Sequence, residues 1–164
     1  MAHSSTTFVK KALLCGLMVL AFGTSAMAQK EIGVGVVFGT QSDDIGVSMR
    51  MRLPLPWWHD LYVVPSVDLL EFGKNQYFVA LNCEAQADFA ITPAFSVYPA
   101  AGMTLGIRDR YTTTQAEDNV QIGFNLGGGA RYDLTPRLTG IGELKASVGG
   151  FEQLLLTVGV MVDI

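Results

Sequence analysis

The residues of this sequence that could do chemistry are few. It has two histidines and two cysteines, and His3 and Cys15 both fall within the first 28 residues. That leaves His59, between Trp58 and Asp60, and Cys83. A histidine beside an aspartate suggests a general base, and the plainer reading is a polar residue in a turn. Cys83 stands at an apolar position of an alternating run, where a thiol behaves as a small hydrophobe rather than a nucleophile. Asp43-Asp44 and Glu117-Asp118 could attract a divalent cation, and solvated loop charges explain them as well. Gly127-Gly128-Gly129 lacks the spacing of a phosphate loop and the helix that should follow one. The sequence thus predicts no catalytic residue, no metal site and no cofactor.

The elements that must hold these residues start with the N-terminus. Lys10 and Lys11 precede an apolar run from Ala12 to Gly23, and Ala26 and Ala28 follow in A-x-A spacing. This is the pattern of a secretory signal peptide over residues 1–28, with cleavage expected after Ala28. The run is 12 residues long, whereas a spanning helix needs about 20. Leu14 before Cys15 is too bulky for a lipid-attachment site. The expected mature domain is residues 29–164, with one cysteine and so no internal disulfide. Without Lys10 and Lys11 it carries 9 basic and 15 acidic residues, a net charge of −6, which argues against a nucleic-acid partner. No second run is long enough for a membrane helix, so a membrane protein of this sequence must cross as strands.

Alternation runs through the whole of that domain. Ile32, Val34, Val36 and Phe38 form one apolar set, and Ile45, Val47, Met49, Met51 and Leu53 the next. The clearest run sets Tyr77, Val79, Leu81, Cys83, Ala85, Ala87 and Phe89 against Asn82, Glu84, Gln86 and Asp88. A period of two gives each strand one apolar and one polar face. Eight such strands are counted, several longer than the usual soluble strand of about 5–6 residues. Pro54-Leu55-Pro56, Thr92-Pro93 and Thr135-Pro136 separate them on one side. The other connections include the longest, Asp109 to Asn119. Aromatic residues collect near strand ends: Phe38, Phe72, Tyr77 and Phe151 toward one rim, and Trp57, Trp58, Phe89, Phe95 and Tyr132 toward the other. Two such girdles suit the two interfaces of a bilayer.

The polar face carries Arg50, Arg52, Arg108, Arg131 and Lys145 against Asp68, Glu84, Asp88, Glu143 and Asp163, five charges of each sign. Enclosed in a narrow barrel, each would need a partner, because an unpaired buried charge costs several kcal/mol. The expectation is a lumen closed by charge pairs. The glycines near 102–106 and 123–129 would let bulky side chains cross it.

This pattern resembles the eight-stranded outer-membrane barrels of the outer membrane protein A, outer membrane protein X and opacity-protein type, over residues 29–164. Its most specific part is the C-terminal strand. The family's assembly signal is polar-x-Gly-x-x-apolar-x-aromatic, and Thr157, Gly159 and Val162 match it. Ile164 stands where the family has an aromatic. The resemblance implies an all-β fold: a closed, antiparallel, up-and-down transmembrane barrel of eight strands. It also implies residence in the bacterial outer membrane, contact with its lipid and lipopolysaccharide, and delivery by the barrel-assembly machinery. His59 would then lie in a periplasmic turn, whereas the family's lipid deacylases work at the outer rim. The leading function is a non-enzymatic structural or interaction role in the cell envelope. Two other readings stay open: a narrow small-solute channel, or a soluble periplasmic barrel with its apolar face turned inward around an apolar ligand.

Overall fold

A computed structural model describes residues 30–40, 44–58, 60–72, 76–109, 119–149 and 152–164. The expected signal peptide, His59, Asp43 and Glu117-Asp118 lie outside the described residues.

Every regular element among the described residues is a strand. The strands are β1 (Glu31–Gly39), β2 (Asp44–Pro54), β3 (Leu61–Phe72), β4 (Gln76–Ala87), β5 (Phe89–Thr92), β6 (Phe95–Asp109), β7 (Asn119–Thr135), β8 (Leu138–Gly149) and β9 (Gln153–Asp163). β4 and β5 are one strand interrupted at Asp88. Gln86 pairs with Ala100 and Phe89 with Val97, so both segments keep a single register on β6. Eight strands therefore form the wall, each antiparallel to the next.

The first strand closes the sheet on the last. Ile32 pairs with Val162, Val34 with Val160 and Phe38 with Leu156, the antiparallel pairing expected from the sequence. Closure gives both edge strands partners for their N–H and C=O groups, a requirement for any sheet surrounded by hydrocarbon. Each Pro-containing break becomes a tight connection at one end of the barrel, here the turn end. There the Leu55 N–H donates to the Leu61 carbonyl at 2.9 Å, and Pro93-Ala94 and Pro136-Arg137 are short turns. At the opposite, loop end, Gly149 takes a φ of +115°, a backbone conformation that favours glycine.

The faces are the inverse of a soluble barrel. Val34, Val36, Ile45, Val47, Met49, Met103, Ile122, Phe124, Leu126, Val148 and Val158 are exposed on the outside. Arg50, Arg52, Asp68, Glu84, Arg131, Glu143 and Lys145 are buried inside. Leu81 and Val160 are half-buried among outward neighbours. At the turn end Trp57 and Trp58 are 84% and 67% exposed, with Phe89 and Tyr132 also exposed. At the loop rim Phe38 is exposed, while Phe151 and the Phe72 and Tyr77 side chains lie outside the described residues. The reading with apolar side chains turned inward around a ligand is overturned by this distribution. Alternation alone could not decide it, because it is the same whichever face closes on itself.

Candidate functional site: the barrel interior

Alternation aims Glu143 and Lys145, two residues apart on β8, into the same lumen. Lys145 is 1% exposed. Its Nζ lies 3.0 Å from Glu84 Oε1, 3.7 Å from Asp68 Oδ2 and 3.8 Å from Glu143 Oε1. Each carboxylate has further donors. Asp68 accepts from Ser48 Oγ at 2.6 Å and Asn82 Nδ2 at 2.8 Å, and Glu84 accepts from Asn125 Nδ2 at 2.9 Å. Glu143 Oε2 accepts from Arg50 Nη1 at 3.0 Å, Gln86 Nε2 at 3.1 Å and Tyr98 Oη at 3.0 Å. Charge-assisted bonds of this kind are stronger than neutral ones, and more so out of water.

A second cluster lies nearer the turn end. Arg52 reaches Glu31 Oε1 at 2.7 Å and Asp88 Oδ2 at 2.5 Å. Arg131 bonds Glu31 Oε2 and lies 3.9 Å from Asp88 Oδ2. Two guanidinium groups and two carboxylates thus close a ring of ion pairs. The Arg52 guanidinium stacks 3.2 Å from the centre of the Tyr62 ring, a cation–π contact strengthened by exclusion of water.

Of the ten expected lumen charges, eight meet in these two clusters: Arg50, Arg52, Asp68, Glu84, Asp88, Arg131, Glu143 and Lys145. The Arg108 side chain lies outside the described residues. Asp163 is placed beside Glu31 across the β1–β9 pairing, on the wall of the turn-end cavity rather than in the ion-pair ring. Glu31 itself is absent from the sequence expectation, yet it bridges both arginines. It is two residues before Gly33, in phase with the inward positions of β1, and that phase was the available signal.

The interior has a second component that the charges did not announce. Val37, Leu70, Phe78, Ala80 and Leu155 form a buried apolar cluster. They sit on the inward faces of β1, β3, β4 and β9, on the loop side of Lys145, with which Leu155 pairs. Gly46, between Val37 and Leu70, and Gly106, beside Ala80, are buried in the same part of the wall. The lumen therefore holds an apolar cluster as well as charge pairs, with the buried polar Ser147 and Gln153 also at its loop end. At the other end, beyond the arginine ring, a cavity of about 760 Å³ is lined by Glu31, Tyr62, Asp88, Arg131, Asp133 and Asp163, among others.

The remaining candidates fall on the wall. Cys83 is a free thiol exposed on the outer face. Gly127-Gly128-Gly129 lies inside β7. Of the assembly-signal positions, Thr157 is buried in the lumen and Val162 and Ile164 are exposed. Gly159 permits close approach of the sheet closure, since a Cβ there would meet the Val34 carbonyl and the Gly35 Cα.

A closed eight-strand antiparallel barrel, apolar outside and ion-paired inside, has the fold of the small transmembrane β-barrels. Among solved structures the chain is similar to Ail, the attachment invasion locus protein of Yersinia pestis, at 15% identity and a TM-score of 0.64, covering 84% of this chain and 100% of that one. It is similar to Neisserial surface protein A at 14% identity and a TM-score of 0.63, with coverages of 82% and 95%. The N-terminal β-barrel domain of Pseudomonas aeruginosa OprF is similar at 15% identity and a TM-score of 0.62, with coverages of 82% and 97%. At such identities the likeness is one of fold. No family model and no curated protein matches the sequence.

Proposed function

We propose that the chain is a non-enzymatic barrel of the bacterial outer membrane, with a structural or interaction role in the cell envelope. The observation that carries this reading is the inverted distribution of side chains: among the described residues an apolar exterior surrounds an ion-paired interior, and the first and last strands pair with each other. Such an exterior is stable only in lipid, where backbone groups must all be satisfied within the wall. The exposed Trp57 and Trp58 suit the membrane–water interface at the turn end.

In this reading residues 1–28 direct export and are removed after Ala28. The turn end faces the periplasm and the loop end the outside, toward lipopolysaccharide. The C-terminal strand, with Thr157, Gly159, Val162 and Ile164, is presented to the barrel-assembly machinery. The non-enzymatic reading rests on the interior carboxylates being engaged by neighbouring donors and on the outward position of Cys83. A structural role is favoured over a small-solute channel because side chains fill the bore, as expected for eight strands.

Cell fractionation tests this directly. The protein should be recovered in the outer-membrane fraction, need detergent for extraction, and migrate differently in gels before and after boiling. Recovery as a detergent-independent periplasmic protein would reject the reading.

A further inference from the structure

Two prolines stand inside the wall, Pro65 on β3 and Pro99 on β6. A proline has no N–H for the ladder, so its effect depends on which neighbour that donor would have faced. The Asp88 N–H donates to the Asp60 carbonyl at 2.9 Å. From that pair hydrogen-bonded pairs alternate along β3 and β4, which turns the Pro65 backbone toward β2 and the Ala87 backbone toward β6. Both ladders lapse at those points. β2 and β3 pair at Arg50–Ser66 and again at Leu53–Val63, with Met51 opposite Pro65 and Arg52 opposite Val64 left out. β6 pairs with Gln86 through Ala100 and with Phe89 through Val97, with Ala87 opposite Pro99 and Asp88 opposite Tyr98 left out. Among the described residues the other ladders have no such gap in mid-strand.

The turn-end part of β3 and β4 is thus bounded by a break on each side, while the ladder between these two strands is unbroken from Leu61–Ala87 onward. Side chains span the breaks from inside. Arg52, on β2, stacks on Tyr62 of β3 and bonds Asp88 at 2.5 Å. Arg131, on β7, lies 3.9 Å from the same Asp88 oxygen. Glu31, on β1, holds both arginines. Tyr62 and Asp88 therefore belong to the bounded segment, and Glu31, Arg52 and Arg131 to the frame around it. Tyr62 and Asp88 also line the turn-end cavity.

We propose that this segment is a hinged panel in the wall of the turn-end cavity, latched to its frame by Asp88. Backbone opens locally where few hydrogen bonds hold it. The panel opens about the continuous ladders on its loop side, which start at Arg50–Ser66 and Gln86–Ala100. The closure of β1 on β9 stays intact as it does so.

The proposal rests on the membrane reading above, and the experiment separates the two. Full-length mature protein is reconstituted into phospholipid nanodiscs, and heat-modifiable migration reports insertion. Amide hydrogen exchange of the inserted protein is then followed residue by residue by NMR. The amides of Met51, Val63 and Ala87, beside the breaks, should exchange about ten-fold faster than those of Val36 and Val158 on the closing seam. Asp88→Ala should speed the first three by about ten-fold again and leave Val36 and Val158 within about two-fold. Pro65→Val/Pro99→Val returns both donors to the ladder and should slow the first three toward the rate of the seam. An inserted, unaltered barrel that exchanges as slowly at the breaks as at the seam overturns the proposal. So does an Asp88→Ala barrel in which all five amides accelerate together or none does, and so does a proline double variant that is no slower. If Asp88→Ala does not insert, Asp88→Asn is read by the same criterion. Failure of the unaltered protein to insert overturns the membrane reading and the panel with it.

Discussion

The Tyr98 ring lies across Gly129, and its hydroxyl donates to Glu143 Oε2 at 3.0 Å. Gly129 pairs with Tyr98 on β6 and with Glu143 on β8, so the three residues share one line across the wall. A Cβ at Gly129 would sit 2.5 Å from the Tyr98 Oη and 2.6 Å from its Cζ. The glycine is therefore the space through which the tyrosine reaches the charge cluster. Two similar accommodations stand nearby. A Cβ at Gly102 would meet Glu84, and one at Gly127 would meet Lys145.

Gly129→Ala should displace the Tyr98 ring and destabilise the barrel by about 1–3 kcal/mol, the usual range for overpacking. Tyr98→Phe should cost roughly 1.5–3 kcal/mol through loss of a hydrogen bond to a charged group. Because both act on one contact, the double variant should cost less than the two combined. Urea unfolding in vesicles measures all three. Additive losses would show that Gly129 and Tyr98 act independently.

Glu143→Ala should remove the partner of Arg50 and one of the carboxylates near Lys145. Breaking a buried pair from one side costs about 3–5 kcal/mol. Glu143→Gln retains a hydrogen-bonding side chain for Tyr98 and Arg50, so its loss should be smaller. Equal losses for the two variants, read by the same unfolding transition, would mean that the hydrogen bonds retained by glutamine count for nothing here.

On the outside, Phe124 and Met103 are exposed and directly paired across β6 and β7. Arginine at Leu81, Met103, Phe124 or Val160 should destabilise by about 2–4 kcal/mol near the bilayer midplane and less toward an interface. If all four variants unfold at the unaltered urea concentration, that face does not contact hydrocarbon.

Assembly should depend on the closing strand. Ile164 is exposed, and its N–H donates to the Lys30 carbonyl at 2.9 Å. Ile164→Phe adds apolar area and an interfacial ring, so the amount of heat-modifiable protein in the outer membrane should be unchanged or higher. Ile164→Asp, or deletion of residues 162–164, should lower it and expose the chain to proteolysis. Normal accumulation of the truncated chain would remove Ile164 from any assembly signal.

The sequence by itself determined the strands, their number and which side chains share a face, because a period of two is a local property of extended backbone. It also pointed to most of the charges that meet in the lumen, since Arg50, Glu84, Glu143 and Lys145 stand out against apolar neighbours, but not to Glu31. It could not assign partners. Arg50 and Glu143 are 93 residues apart, and only the register of eight strands and the closure of β1 on β9 set them side by side. The buried apolar cluster was hidden for a different reason. Val37 lies between Val36 and Phe38, Leu155 between Leu154 and Leu156, and Leu70 and Phe78 beside Leu69 and Val79. In each case an inward apolar residue adjoins an outward one, so the alternation is blurred just where the lumen turns apolar. Whether such a residue faces lipid or the bore depends on curvature, which is a property of the closed sheet and not of any one strand.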